Sequence, residues 1–213
     1  MPAPGETPAR DEARRPGRPV GTDVEAVART ALALFEERGY DAVSMADVAE
    51  AAGIGRRSLF RHARSKADLV WGGVGPAADE MRRRLDDSDP GSPLLDAYRD
   101  AFVGAMESDA VDLDATRSRL RLIAAHAELR AAVSAQLAET DQVLSAFVAR
   151  RRPDLAGTPA AEAVTEAIGA ASFAALRGWA TADGEPGLRG AVGDALEALA
   201  GLGGPARASG AAV

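Results

Sequence analysis

The chain has 213 residues and a formal net charge of −7, with 46% hydrophobic and 27% charged residues. This composition is typical of a globular protein. Because cysteine is absent and there are only two histidines, a disulfide framework, a thiolate nucleophile and a zinc site are not expected. We expect no metal and no cofactor.

The two ends of the chain are rich in glycine, proline and charge or small residues. Residues 1–19 are predicted to form a disordered basic tail, and residues 203–213 a second disordered tail. Arg14, Arg15 and Arg18 either reach a DNA minor groove as an arm or make no contact. No apolar run is long enough for a membrane span, and the first residues lack an apolar signal core, so we expect a cytoplasmic protein with no membrane partner.

The first helix is predicted to begin at Thr22, which forms a capping-box pattern with Glu25, and to end at Gly39. Its apolar residues recur at helical spacing and should form the buried face: Val24, Val27, Ala28, Ala31, Leu34 and Phe35.

Three more helix starts follow within a short distance. Ser44 and Asp47 cap a short second helix that Gly53 ends, and Ile54 with Gly55 forms a turn. A third helix is predicted over residues 56–62, and the pattern Ser65-x-x-Asp68 caps a fourth. This spacing is typical of a helix-turn-helix, so we interpret residues 20–67 as a DNA-binding domain.

Residues 68–202 continue the helical pattern without its basic cluster. The glycines at 72, 73 and 75 and Pro76 predict a kink or a break in the fourth helix. Proline and cap positions predict later helices over residues 93–107, 114–124, 127–151, 159–181 and 187–200. The fold class is therefore all-α, with about nine helices.

The segment from 51 to 67 is a cationic island in an acidic protein, since it contains no acidic side chain but has Arg56, Arg57, Arg61, His62, Arg64 and Lys66. Arg56 and Arg57 open the third helix, and arginine bonds guanine in bidentate fashion, so we expect them to read bases. Ser58 and His62 would reach phosphates or base edges, and Lys66 the DNA backbone. The alternative is a solvated basic helix face with no partner.

The segment DVEAVARTALALFEERGYDAVSMADVAEAAGIGRRSLFRHARSKADLV resembles the N-terminal domain of TetR/AcrR-type transcriptional regulators over about fifty residues. The resemblance implies an all-helical homodimer that represses transcription until a small molecule fills a pocket in its C-terminal domain. It also implies a set of DNA contacts: Ser44, Arg56, Arg57, Ser58, Phe60, His62 and Lys66. WGG and RLRLIAAHAELRAAV resemble an actinobacterial subgroup that includes regulators of the mycofactocin type.

The chain departs from the family pattern at two places. His62 and Ala63 stand where the family commonly has Tyr-Phe, so an imidazole replaces an aromatic phosphate contact. Pro76 interrupts a helix that is usually continuous and that transmits the ligand signal in the family, which leaves the coupling of pocket to DNA open.

The C-terminal bundle, residues 68–202, is predicted to bind the effector and to dimerise. A stripe of alanines at 163, 167, 170 and 174, with Leu196 and Leu199 on the next helix, would form a four-helix interface between subunits, or else pack inside a monomer. The larger side chains of the bundle are candidates to line the pocket, with ordinary core packing as the alternative. They are Tyr98, Phe102, Met106, His126, Phe147, Phe173 and Trp179.

The leading hypothesis is therefore a homodimeric repressor that binds double-stranded operator DNA and is released by an unidentified small-molecule effector. No catalytic residues are expected, because the sequence lacks cysteine, a phosphate loop and a recognisable pair of catalytic carboxylates. Two alternatives stay open. One is a helical enzyme or small-molecule-binding protein that uses the C-terminal cavity, and the other is an effector-independent regulator or activator.

Overall fold

A computed structural model describes residues 24–72, 74–182 and 186–202 of the chain. Within these ranges the regular structure is entirely helical, which confirms the predicted all-α class. Twelve helices are formed there: α1 (Val24–Arg38), α2 (Met45–Ala51), α3 (Arg56–His62), α4 (Lys66–Trp71), α5 (Val74–Asp86), α6 (Leu94–Met106), α7 (Leu113–Ala125), α8 (Ala127–Ala131), α9 (Val133–Gln136), α10 (Ala138–Arg151), α11 (Pro159–Thr181) and α12 (Leu188–Gly201). Both predicted tails, the arginines at 14, 15 and 18, and Thr22 lie outside the described residues.

The local signals in the N-terminal helices act as predicted. Ser44 and Asp47 form a complete capping box on α2, and Ser65 and Asp68 form another on α4. Gly39 follows α1 with φ of 88°, and Gly53 follows α2 with φ of 64°, so both occupy the left-handed region that favours glycine. The buried face of α1 departs from the prediction at two positions: Val24, the first described residue, is 44% exposed, and Leu32, which was not predicted, is buried.

The predicted interruption of the fourth helix is confirmed, and it lies before Pro76. α4 ends at Trp71, where Gly72 turns to a ψ of 152°, and α5 begins at Val74. Pro76 therefore lies in the first turn of α5, where a missing backbone N–H costs nothing because that N–H has no partner inside the helix.

The predicted helix over residues 127–151 is divided into α8, α9 and α10, with bends at Ala132 and Leu137. The physical reason is that its two parts belong to different cores. Leu129 packs with the N-terminal helices, whereas Leu144 and Phe147 pack with the C-terminal bundle. One straight helix would not reach both, so the chain bends between them.

The hydrophobic core consists of two clusters that α7 and α8 connect. The N-terminal cluster is formed by α1 to α4 together with Ile123 of α7 and Leu129 of α8. The C-terminal cluster includes Leu120, one turn earlier on α7, and the buried faces of α5, α6, α10, α11 and α12. The predicted domain boundary after residue 67 stays a prediction, since α4 packs against α1 while Trp71 at its end faces the second half of the chain.

Candidate nucleic-acid interface and cavity

α3 combines one buried anchor with an exposed cationic face. Leu59 is fully buried and Ala63, directly after the helix, is 3% exposed, which fixes the helix against the N-terminal core. Arg56, Arg57 and His62 are exposed, as is Phe60 at 49%. Because Phe60 is a large apolar side chain on a cationic helix face, its exposure is suited to contact with a partner.

The cations of α3 are not neutralised by the protein's own carboxylates. Within residues 24–72, 74–182 and 186–202, no ion pair involves Arg56, Arg57, Arg61 or Arg64. Arg61 donates to Ser58 Oγ at 3.2 Å, so these two polar side chains form one unit on the helix surface. The predicted contacts Arg56, Arg57, Ser58, Phe60 and His62 therefore lie together on one short helix.

Ser44, the predicted contact from the second helix, is exposed at the N-cap of α2. Its Oγ donates to Asp47 Oδ2 at 2.6 Å and accepts from the Asp47 backbone N–H at 3.2 Å. The hydrogen bond from the Ser44 side chain, and then that from its backbone, lowers the pKa of Asp47 below its usual range, and Arg38 and Arg56 act in the same direction. The box thus stays charged and closed at neutral pH.

Lys66 lies in a half-buried position at the start of α4. Its Nζ donates to the backbone oxygen of Tyr40 at 2.6 Å and lies 4.3 Å from the centre of the Tyr40 ring. The Tyr40 ring in turn contacts His126, with ring centres 4.6 Å apart. Since an ammonium has three donors, Lys66 can keep this bond and still bind a phosphate.

A cavity of about 120 Å³ lies in the C-terminal half, next to the break between α4 and α5. Four of the predicted pocket residues line it: Tyr98, Phe102, Met106 and Phe173. The walls are largely apolar, and burial raises the pKa of the Tyr98 phenol well above its usual value.

The other three predicted pocket residues lie elsewhere in the described structure. His126 caps α8 and contacts Tyr40, so it belongs to the join between the two cores. Phe147 is buried beneath the guanidinium groups of Arg150 and Arg151, and Trp179 beneath that of Arg117. Each of these rings packs against a cation or another ring and does not line the cavity.

Sequence reasoning missed several lining residues, among them Trp71, Met81, Arg119, Asp141 and Ser172. Of these residues, only Trp71 carried a signal in the sequence, because tryptophan occurs only twice in the chain. Arg119 gave no signal, because it stands between Arg117 and Arg121 in an arginine-rich helix.

Among the described residues that line the cavity, Arg119 is the one cation, and it is only 7% exposed. Its Nη2 donates to Glu25 Oε1 of α1 at 2.6 Å. Its neighbours face the other way, with Arg117 and Arg121 donating to backbone oxygens at the end of α11. The cavity wall is thereby connected to the first helix of the N-terminal domain.

An open groove between α10 and α11 adjoins the cavity. The groove and the cavity are both lined by Leu137, Asp141, Gly169 and Phe173. Asp141 lies at this junction with part of its surface in solvent. Desolvation of its carboxyl by the surrounding protein, and then the charge of Glu166, raises its pKa. The groove gives an opening through which a bound molecule can extend to solvent.

Neither a metal cluster nor a membrane-spanning helix is found in the part of the chain that the structure describes. No three His, Asp or Glu side chains there come together in a way that could hold a metal ion. No helix in those ranges has the length and apolar character needed to cross a membrane.

Two families match the chain, and together they account for most of its described length. Residues 27–70 match the family described as bacterial regulatory proteins, tetR family. Residues 92–202 match the family described as the MftR C-terminal domain.

A curated relative and two solved structures are similar to the chain. A protein named as a mycofactocin biosynthesis transcriptional regulator, MftR of Mycobacterium tuberculosis, is 35% identical over 137 residues, which are 64% of this chain and 69% of that protein. FadR of Thermus thermophilus, a TetR-family repressor solved with lauroyl-CoA, has a TM-score of 0.59 at 19% identity and covers 89% of this chain and 100% of its own. FadR of Bacillus halodurans has a TM-score of 0.61 at 15% identity and covers 86% and 96%.

Proposed function

The chain belongs to the TetR family of bacterial regulatory proteins, and from this premise we propose that it is a homodimeric repressor that a small-molecule effector releases from operator DNA. Membership of this family makes it a DNA-binding transcriptional regulator and not an enzyme. We expect it to act in the cytoplasm, where bacterial DNA lies. The observation that carries the proposal is the exposed face of α3, whose cations have no ion-pair partner among the described residues.

On DNA, α3 would lie in the major groove. Arg56 and Arg57, at its first two positions, would read base edges, since the N-terminal residues of a recognition helix contact bases. Ser44 and Lys66, at the starts of α2 and α4, would contact phosphates and fix the orientation. Phe60 and His62 would pack against the sugar-phosphate backbone.

The dimer would form through the exposed face of α11. Ala163, Ala170 and Ala174 are exposed, and Ala167 between them is half-buried, so this stripe of small residues is available for close helix approach. Leu196 is 3% exposed and packs inside its own subunit, so of the two leucines only the half-buried Leu199 is a candidate for the interface.

The effector would bind in the cavity beside the α4–α5 break. Val70 and Trp71 of α4 line it, and α4 starts four residues after α3 ends. A molecule that changes the position of α4 would therefore move α3 relative to its copy in the partner subunit. The ligand named for the Thermus FadR, lauroyl-CoA, is much larger than 120 Å³, so a molecule of that kind would have to extend into the adjoining groove.

A second candidate, an effector-independent regulator, is favoured by the small volume of the cavity. About 120 Å³ is below the roughly 300–1,000 Å³ of typical ligand pockets. Such a protein would use the same α3 contacts, and its occupancy of DNA would follow its concentration alone.

The experiment is a selection of duplex DNA from a random library by the full chain, followed by fluorescence anisotropy on the selected site. We expect a two-fold symmetric site with half-site centres about 34–36 Å apart, or a multiple of that distance. Fractionated cell metabolites should then lower the affinity for it. If no sequence is enriched, the DNA-binding assignment is wrong. If a site is enriched but no fraction affects binding, the effector-independent candidate is preferred.

A further inference from the structure

Two residues that line the cavity each carry a buried hydrogen-bond donor that has no partner within the described residues. The donors are the indole Nε1 of Trp71 and the guanidinium Nε of Arg119. Both residues line the cavity, and they are only 5% and 7% exposed. A third such atom, Arg177 Nε, belongs to a residue that lines the open groove and stacks on Phe173. Buried donors are normally satisfied, so two unpaired donors on residues that line one cavity favour an acceptor supplied by a ligand.

The chemistry of the two donors selects a class of acceptor. Arg119 brings a permanent positive charge into a largely apolar space, and an oxyacid is the group that guanidinium binds best. Nε and Nη2 lie on the same edge of a guanidinium group, and a carboxylate binds that edge through two parallel hydrogen bonds. Among the described residues, Arg119 Nε has no hydrogen-bond partner, and Arg119 Nη2 donates to one oxygen of Glu25.

We propose that the cavity binds a compact molecule with an apolar body and an anionic oxygen end, and that this end bonds Arg119 and Trp71 and displaces Glu25 from the guanidinium. The proposal rests on the function proposed above and names the chemistry and the coupling of its effector. The volume of about 120 Å³ is close to that of an engineered apolar cavity of about 150 Å³ that binds benzene, so a small aromatic or short aliphatic carboxylate fits.

The same exchange explains how occupancy reaches the DNA-binding helices. Glu25 lies in the first turn of α1, and its bond to Arg119 connects α1 to α7. α1 packs against α2 and α4, the helices on either side of α3 in the sequence. A ligand oxygen on the Nε–Nη2 edge competes with Glu25 for Nη2, so binding weakens the α1–α7 connection and frees the N-terminal helices to reorient.

The experiment follows the Trp71 indole N–H by NMR while benzoate, hexanoate and octanoate are added to the full chain. A Trp179→Phe variant assigns the signal, because the chain contains two tryptophans. We expect a downfield shift of the Trp71 signal with each acid that binds. Benzoate should bind at least about fivefold more tightly than neutral benzamide, because charged hydrogen bonds are the stronger ones. If none of the acids shifts this signal, the proposal is wrong.

Variants on α7 separate the role of Arg119 from a general effect of charge. Arg119→Gln should lose the preference for benzoate over benzamide, whereas the matched variant Arg121→Gln should keep it, since Arg121 bonds the Ala180 oxygen away from the cavity. Glu25→Gln should bind benzoate several-fold more tightly, because the competing carboxylate is gone. Equal benzoate affinity in the parent, Arg119→Gln and Glu25→Gln would overturn the proposal.

A parallel measurement of operator affinity distinguishes failure of this inference from failure of the proposed function. Benzoate should weaken operator binding by the parent and leave that of Arg119→Gln unchanged. If the parent binds its operator and a neutral compound releases it while the acids do not, the repressor function stands and the oxyacid assignment is wrong. If the parent selects no operator, the proposed function itself is wrong.

Discussion

At the scale of single residues, Arg57 and Lys66 carry the same charge in different surroundings. Arg57 is exposed on α3 and has no ion-pair partner among the described residues, so its guanidinium is available for a base edge. Lys66 is half-buried and bonded to the Tyr40 oxygen, which holds its ammonium in one place beside α3. The first arrangement suits sequence recognition, and the second suits a fixed phosphate contact.

We predict that Arg57→Ala relaxes sequence preference while Lys66→Ala weakens binding to all sequences alike. Loss of a bidentate arginine–guanine contact costs about 1–3 kcal/mol of discrimination. Loss of a phosphate contact reduces the slope of log affinity against log salt by about one. Fluorescence anisotropy on the selected operator and its single-base variants, at several salt concentrations, measures both effects.

Arg152→Ala is the control for these variants, because Arg152 pairs with Asp154 in the segment between α10 and α11. It should bind DNA like the parent. If Arg57→Ala and Lys66→Ala also bind like the parent at every salt concentration, the contact assignment is wrong.

At the scale of helices, the ends matter as much as the buried faces. Gly39 lets the chain leave α1 in a left-handed conformation, and the two capping boxes begin α2 and α4 without help from distant residues. The arrangement of the short helices α2, α3 and α4 therefore depends on a few turn positions.

We predict opposite effects from two glycine-to-alanine substitutions. Gly39→Ala should lower the free energy of unfolding by about 1–2 kcal/mol, because an L-residue with a Cβ is strained at a φ of 88°. Gly201→Ala, at the last residue of α12, should leave that free energy unchanged or raise it by up to about 1 kcal/mol. An added Cβ meets nothing within 4 Å at either position, so packing does not differ between the two.

Chemical denaturation followed by circular dichroism measures both variants against the parent. Each one is compared at the same protein concentration, because a dimer's stability depends on it. Equal stabilities of Gly39→Ala and Gly201→Ala would show that the left-handed turn is not needed in solution.

At the scale of the whole molecule, contacts between side chains connect the N-terminal helices to the C-terminal bundle. Trp71 stacks on Phe173 with ring centres 6.1 Å apart, and Tyr40 contacts His126. The Arg119–Glu25 bond is the third connection. In each pair, one residue lies in α1, in α4 or in the turn after α1. The other lies in α7, in α11 or between α7 and α8. Since α4 ends at Gly72, these three contacts connect the two halves of the structure across the break.

We predict that Ala174→Arg converts the dimer to monomers and weakens operator binding, because an arginine on the exposed stripe of α11 holds the facing helices apart. Sedimentation equilibrium measures the association, and anisotropy the DNA affinity. The control, Ala156→Arg, places the same charge on an exposed loop residue before α11 and should stay dimeric. A dimeric Ala174→Arg would mean that the subunits meet through another surface.

Apart from the division of residues 127–151 into three helices, most helices and the cationic segment follow from the sequence alone, because the signals that define them are local. Capping pairs such as Ser44 with Asp47, the glycine after α1 and the proline at the start of α11 act within a few residues, and the bounds of α3 and α11 were predicted correctly. The matches to the two families agree with the resemblance carried by residues 23–70.

The tertiary structure alone decided which side chains line the cavity. Tyr98 and Phe173 line it while Phe147 and Trp179 do not, although all four are aromatic residues at helical spacing. The spacing of Arg117, Arg119 and Arg121 places the middle residue on a different face of α7, but only the packing of α7 against α1 shows that this face meets Glu25. Periodicity gives the direction of a side chain about its own helix, whereas burial and partners depend on segments that are distant in the sequence.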